Sequence, residues 1–155
     1  MLTLDPIHAA DDDVRDLVGE LDAALSAAYA PEQRHGLSLE AIFQPHVRFF
    51  VARLEGAALG CGGVALFADF AEVKRMYVRP AARGAGIARA ILARLESEAR
   101  TAGLPVLRLE TGDEQHEALR LYRRYGFTDC PPFGAYASMA PHAIATSVFL
   151  EKTLA

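Results

Sequence analysis

The stretch RPAARGAGIARAIL, from Arg79 to Leu92, sets two glycines among three arginines immediately ahead of an amphipathic run. Gly84 and Gly86 let backbone N–H groups turn outward and approach a ligand that a Cβ would exclude. At a helix start those N–H groups are unpaired, and the helix dipole adds partial positive charge. The ligand such a turn suits is an anion. Because several donors lie along it, with Arg79, Arg83 and Arg89 adding charge, a diphosphate fits better than a single carboxylate. A tight strand-to-helix connection would also use these glycines. The arginine three residues ahead of Gly86, the small Ala88, the strand before and the helix after favour the anion. Two large phosphate-binding classes drop out. No Gly-Lys-Ser/Thr ending makes a Walker A loop, and Arg89 stands where a dinucleotide fingerprint needs a third glycine or alanine.

A strand must lead into this turn and a helix must leave it. VKRMYV, Val73 to Val78, supplies the strand, and from Gly84 to about Ala102 the residues Ile87, Ile91, Leu95 and Ala99 form one stripe flanked by Ala88 and Leu92. Gly103 and Pro105 end that helix in the expected order. Upstream, Leu2 to Leu4 reads as a strand, and three aspartates from Asp11 open a helix with Val14, Leu17, Val18, Leu21, Leu25 and Ala28 at helical spacing. A short helix is expected near Ser38 to Phe43. VRFFVARL and AALGCGGVALF form a hairpin about Glu55-Gly56, and a turn is expected over Asp69 to Glu72. VLRLE, HEALRLYRRY and TSVFLEKTL follow as strand, helix and closing strand. The order predicts an α/β arrangement with a mixed sheet.

At 155 residues, with no repeat or linker, the chain is expected to be one domain, residues 1–155. Its formal charge of −4 argues against a nucleic-acid partner, which would need clustered basic charge. No apolar run reaches the roughly 18 residues of a membrane span, and the N-terminus lacks the regions of a signal peptide, so a cytoplasmic protein without membrane association is expected. Cys61 and Cys130 form no CxxC pair, and His35, His46 and His142 show no ligand spacing, so no metal is expected.

Two segments in order resemble the GNAT superfamily of N-acetyltransferases. Arg83-Gly84-Ala85-Gly86-Ile87-Ala88 supplies the pattern Q/R-x-x-G-x-G/A, and Gln115 to Phe127, QHEALRLYRRYGF, follows N-x-x-A-x-x-L-Y-x-x-x-G-F with Gln115 in place of asparagine. The resemblance implies the GNAT fold: a mixed, mostly antiparallel sheet with splayed central strands and flanking helices. It also implies acetyl-CoA as co-substrate and an amine as acceptor. The pyrophosphate would lie on the backbone of Arg83, Gly84, Ala85, Gly86, Ile87, Ala88 and Arg89. The pantetheine arm would pair with the backbone of Met76, Tyr77 and Val78, beside the strand Val106 to Glu110. Gln115 would reach the cofactor with one methylene more than asparagine.

The same resemblance gives roles to two further residues. Glu72 matches a position of the general base, the other reading being a carboxylate paired with Lys74 or Arg75. Tyr122 matches the tyrosine that protonates the departing thiolate, the other reading being a core residue of its helix. Tyr125 is read as packing, and His116 as a solvated or capping residue. Glu110 borders the cleft, where it either contacts an amine substrate or pairs near Arg108 at the surface, and Phe133 and Tyr136 either wall the acceptor pocket or anchor a long connection. Direct attack in a ternary complex is expected, because neither cysteine lies in an acyl-carrier motif. The segment Ala30 to Val47, with Glu32, Arg34, His35 and Glu40 read as solvated loop charges, would shape the acceptor site without revealing the acceptor. A non-catalytic CoA-binding module is the alternative, and a homodimer through sheet edges is compatible with the family.

Overall fold

The computed structural model describes residues 1–154. Ten regular elements alternate along them: β1 Leu2–Ile7, α1 Asp12–Ala28, β2 Val47–Leu54, β3 Ala57–Leu66, β4 Ala71–Val78, α2 Ile87–Thr101, β5 Val106–Gly112, α3 His116–Tyr125, β6 Thr128–Asp129 and β7 Ser147–Thr153. The seven strands make one sheet in the order β1-β2-β3-β4-β5-β7-β6. Each pairing is antiparallel except β4 with β5. That parallel pair holds register only at Ala71↔Leu107 and Glu72↔Arg108. Beyond Glu72 the two strands part, and the sheet opens at its centre.

Local chemistry explains most boundaries. Glu55 and Gly56 take φ of 50° and 83°, the two left-handed residues of a tight hairpin turn matching strand twist. Asp11 caps α1, its Oδ1 accepting from the Val14 N–H at 2.9 Å. Gly103, at φ 75°, ends α2, and the Leu104 N–H returns to the Ala99 carbonyl at 3.1 Å. β1 runs past Leu4 through Pro6, which an edge strand tolerates because one side of its ladder is unpaired.

Three boundaries differ from the sequence reading. The turn expected at Asp69 to Glu72 lies earlier, closed by the Phe67 N–H on the Phe70 carbonyl, so β4 starts at Ala71 and takes Glu72 into the sheet. The helix expected near Ser38 to Phe43 is a single 3-10 turn, Ala41–Phe43, with the Ser38 hydroxyl on the Ala41 N–H. α2 begins at Ile87 because Gly84 and Gly86 sit at φ 87° and 80°, outside the helical region.

The central strands are apolar on both faces, as helix-covered strands must be. α1 buries Val14, Leu17 and Val18 against Phe49, Val51, Cys61 and Tyr77 on one face. On the other, α2 buries Ile87, Ile91, Leu92, Leu95 and Ala99 against Phe50, Ala52, Val64, Val73, Leu107 and Leu109. Leu95 is wholly buried at the middle of this second face. Leu95→Ala is expected to cost about 2–5 kcal/mol of stability in urea unfolding. A loss under about 1 kcal/mol would show that α2 is not wedged on the sheet as described. Among the described residues no helix is long and apolar enough to cross a membrane.

Candidate active site

The turn between β4 and α2 presents its amides to open space. Among the described residues, none of the N–H groups from Gly84 to Arg89 reaches a backbone carbonyl, the first return being Ala90 N–H to Gly86 O at 3.1 Å. A Cβ built on Gly84 or Gly86 would meet no protein atom within 4 Å. The glycines are therefore not demanded by crowding. Their left-handed φ turns successive N–H groups outward, which makes an anion cradle at the start of α2. Arg83 shapes it: its Nε donates to the Val78 carbonyl at 3.0 Å and its Nη1 lies 3.7 Å from Glu117 on α3. Arg89 lies over the Tyr125 ring at 5.1 Å, which agrees with Tyr125 as a packing residue. Arg79 is not part of the cradle. Its guanidinium turns to the α1 side, bonding Glu20 at 3.1 Å and the Ala58 carbonyl at 2.9 Å, and pins β4 instead.

Where β4 and β5 part, a cleft of about 790 Å³, open to solvent, runs from α1 across to α3. Its geometry depends on a bulge. The β3–β4 register shifts between Cys61 and Gly63, so that Gly62 faces both Arg75 and Met76, and Arg75 takes a φ of 53°. Ordinary alternation would send Lys74 and Arg75 to opposite faces. The bulge instead lets Lys74 reach Tyr136 and Arg75 reach Asp22 of α1, both on the α1 side. Met76 stays toward α2, packed against its core. The Tyr77 side chain turns to α1 and donates to Glu20 at 3.0 Å, so only its backbone faces the cleft edge.

Glu72 is buried, 4% exposed, and not the surface carboxylate its charged neighbours suggest. Its Oε2 lies 2.9 Å from Lys74 Nζ and accepts from the Tyr136 hydroxyl at 2.7 Å. Lys74 also donates to that hydroxyl at 2.9 Å, closing a triangle. Burial and the Glu72 charge drive the Tyr136 phenol far above its ordinary range, so it acts as a donor. Glu110 on β5 faces the same cleft and takes a 2.6 Å bond from the Ser147 hydroxyl. Burial raises its pKa, with Ser147, His35 and Lys74 opposing. It does not pair with the Arg108 neighbourhood: Arg108 bonds Glu151 at 3.1 Å.

Tyr122 projects from α3 to the cleft, 6% exposed, with its ring edge-on to Phe127 at 5.8 Å. Burial first, and the Glu110 charge second, push its pKa up to about 12. Gln115 precedes α3, lines the cleft and makes no capping bond. His116 is exposed at the helix start beside Glu114. Cys61 is fully buried and its thiol pushed up to about 12, which leaves no thiolate to carry an acyl group.

The far wall comes from two segments distant in sequence. Gln33 and His35 hydrogen-bond the carbonyls of His142 and Ala143, at 3.5 and 2.7 Å, and His142 lies 3.0 Å from Glu32. Phe133 and Tyr136 are buried with Phe70 and Phe149, and Tyr136 meets the His35 ring edge-on at 5.5 Å. Tyr136 thus both anchors its connection and walls the cleft. Arg34, Arg75 and Gly36 join this wall without having been singled out as site residues. The only local signal was the charged run after Ala30.

A seven-stranded mixed sheet parted at its one parallel pair, with helices on both faces, is the fold of an acyltransferase of the GNAT type. The chain belongs to the Acetyltransferase (GNAT) family, which it matches over residues 15–127. It is 46% identical over 145 residues to an IAA acetyltransferase of Azospirillum brasilense, covering 92% of each chain. Its structure is similar to that of a Klebsiella pneumoniae protein assigned as an acyl-CoA N-acyltransferase, with a TM-score of 0.80, 33% identity, and 100% and 99% of the chains covered. It shares its fold with a GNAT acetyltransferase of Elizabethkingia anophelis solved with acetyl-CoA bound, at a TM-score of 0.69 and 19% identity over 99% and 98% of the chains.

Proposed function

We propose that the protein moves the acetyl group of acetyl-CoA to the amine of a small acceptor by direct attack in a ternary complex. The observation that carries this reading is Tyr122 lining the cleft where β4 and β5 part, in a chain whose amides from Gly84 to Arg89 have no protein acceptor. Those amides, from the Arg83-Gly84-Ala85-Gly86-Ile87-Ala88-Arg89 turn, would hold the pyrophosphate. The β4 edge at Met76, Tyr77 and Val78, left unpaired by β5, would hold the pantetheine, with Gln115 alongside. The amine nitrogen forms its bond to the thioester carbon, the C–S bond breaks, the sulfur takes a proton from Tyr122, and the proton that the nitrogen then sheds restores the phenol through water. A phenol at about 12 is a weak acid in water, but the departing thiolate would be generated against the same buried side chain, where desolvation raises a thiol as it raises the phenol.

An alkyl amine of pKa about 10.4 must shed a proton first, at about 4 kcal/mol at neutral pH. Glu72 takes it in this proposal, directly or through water. Lys74 and Tyr136 already occupy its Oε2, however, and compete with an incoming amine for that oxygen. A second reading, with Glu110 as base, is favoured by its raised pKa, which brings a carboxylate nearer to working pH. The two separate in a pH profile of thiol release. If Glu110 is the base, the rate falls as pH drops through its raised pKa, above the usual carboxylate range, and Glu110→Gln abolishes that limb with about a 100-fold loss of kcat. If Glu72→Gln does so and Glu110→Gln does not, Glu72 is the base. Acetyl-CoA binding without thiol release on any amine would overturn the transfer reading itself.

A further inference from the structure

Within the acetyl-transfer reading, on which this inference rests, the charges lining the cleft pair off unevenly. Lys74 is matched by Glu72, and Arg75 by Asp22. Two groups are left over on different walls. Glu110 on β5 has only the neutral Ser147 hydroxyl as hydrogen-bond donor, and burial raises its pKa. Arg34, in the connection after α1, donates to the neutral Ser26 hydroxyl at 2.6 Å and forms no ion pair among the described residues. Its Nε is buried without a partner, and so is the Nε of Arg75, whose residue is only 8% exposed. Those two Nε atoms are closed off from the cleft, but both arginines line it, and Arg34, with five N–H donors and only the Ser26 hydroxyl as partner, has donors left for a ligand.

Gly36 lets these two groups share the wall. A Cβ there would stand 2.0 Å from Arg75 Nη1, so the chain crosses directly over the Arg75 guanidinium. The β4 bulge turns Arg75 toward this crossing, at the expense of a left-handed φ at a non-glycine residue.

We infer that the acceptor is an amino acid or a close analogue: its amine lies toward Glu110 and Tyr122, and its carboxylate is held by the guanidinium of Arg34, with the buried charge of Arg75 behind it. One molecule bearing both charges completes both unpaired groups. A simple amine would leave Arg34 unmet, and a protein lysine flanked by neutral amides would do the same. Arginine suits a carboxylate in particular because its planar fork gives two parallel bonds.

The test uses the twenty common amino acids and their α-carboxamides as matched acceptors, with acetyl-CoA and thiol release as readout. Binding of the same compounds to the CoA-loaded protein is measured by calorimetry. At least one acid is expected to exceed its amide by about 30-fold in kcat/KM or in affinity, the size of a lost charge-assisted contact. Arg34→Met is expected to erase that preference by raising KM for the acid, while KM for acetyl-CoA stays within about twofold. Arg75→Lys, which keeps a charge beside Asp22, is expected to weaken the preference without unfolding the chain. Amides equal to or better than every acid, in turnover and in binding, would overturn the inference even if amines react. An intact preference in Arg34→Met would overturn the role of Arg34. Acid-selective binding with no turnover would instead leave this inference standing and remove the transfer reading.

Discussion

Replacing Tyr122 by phenylalanine is expected to lower kcat for thiol release by about 100-fold while leaving KM for acetyl-CoA within about twofold. Phenylalanine keeps the ring and its edge contact with Phe127, so the fold is preserved and only the proton is lost. The effect falls on kcat because the phenol meets the sulfur only as the C–S bond breaks. Charge that develops beside a buried donor is worth more to stabilise than charge facing water. Burial has already moved the phenol above its ordinary value of about 10, to about 12. The donor form therefore persists through pH 10, and no alkaline loss of rate below that point is expected from Tyr122. Unchanged kcat in Tyr122→Phe would return this residue to the core of its helix and leave the leaving group to be protonated by water.

The second large effect belongs to the turn. Gly86→Val is expected to raise the dissociation constant of acetyl-CoA at least 100-fold by calorimetry, or about 3 kcal/mol. Two costs add: a β-branched residue at φ 80° is strained, and its side chain enters the space in front of the free amides. Gly56 separates them. It too sits at left-handed φ, at 83°, with nothing within 4 Å of a built Cβ, but in the β2–β3 hairpin away from the cleft. Gly56→Val is expected to lower the unfolding midpoint comparably while binding acetyl-CoA normally. Normal affinity in Gly86→Val would move the pyrophosphate off this turn.

The parts legible in the sequence are those whose cause is local. The α2 stripe, the glycines at its start and the hairpin at Glu55-Gly56 each follow from residues within a few positions of one another. The two GNAT-like segments carried the family and with it the expected opening between β4 and β5, which the register of only two pairs now shows. Contacts between distant residues were not legible. Tyr136 lies 64 residues from Glu72 in the chain, and nothing near either one announces the bond between them. The β4 bulge was hidden for another reason: its left-handed position holds Arg75, where a glycine would have signalled a break. Without the bulge, KR in VKRMYV reads as plain alternation, so the second guanidinium of the cleft was missed. Arg79 illustrates the converse, a basic residue next to the turn that serves the opposite side of the sheet.

The hydrogen bonds from Gln33, His35 and Glu32 to the turn at His142 and Ala143 bridge 108 to 110 positions of chain. Such long loops close late, after the strands between them have formed. During synthesis on a ribosome the cradle for the nucleotide end would be finished well before the chamber that admits the second reactant. Until that closure the turn after β4 would stand formed while the wall over the cleft would not.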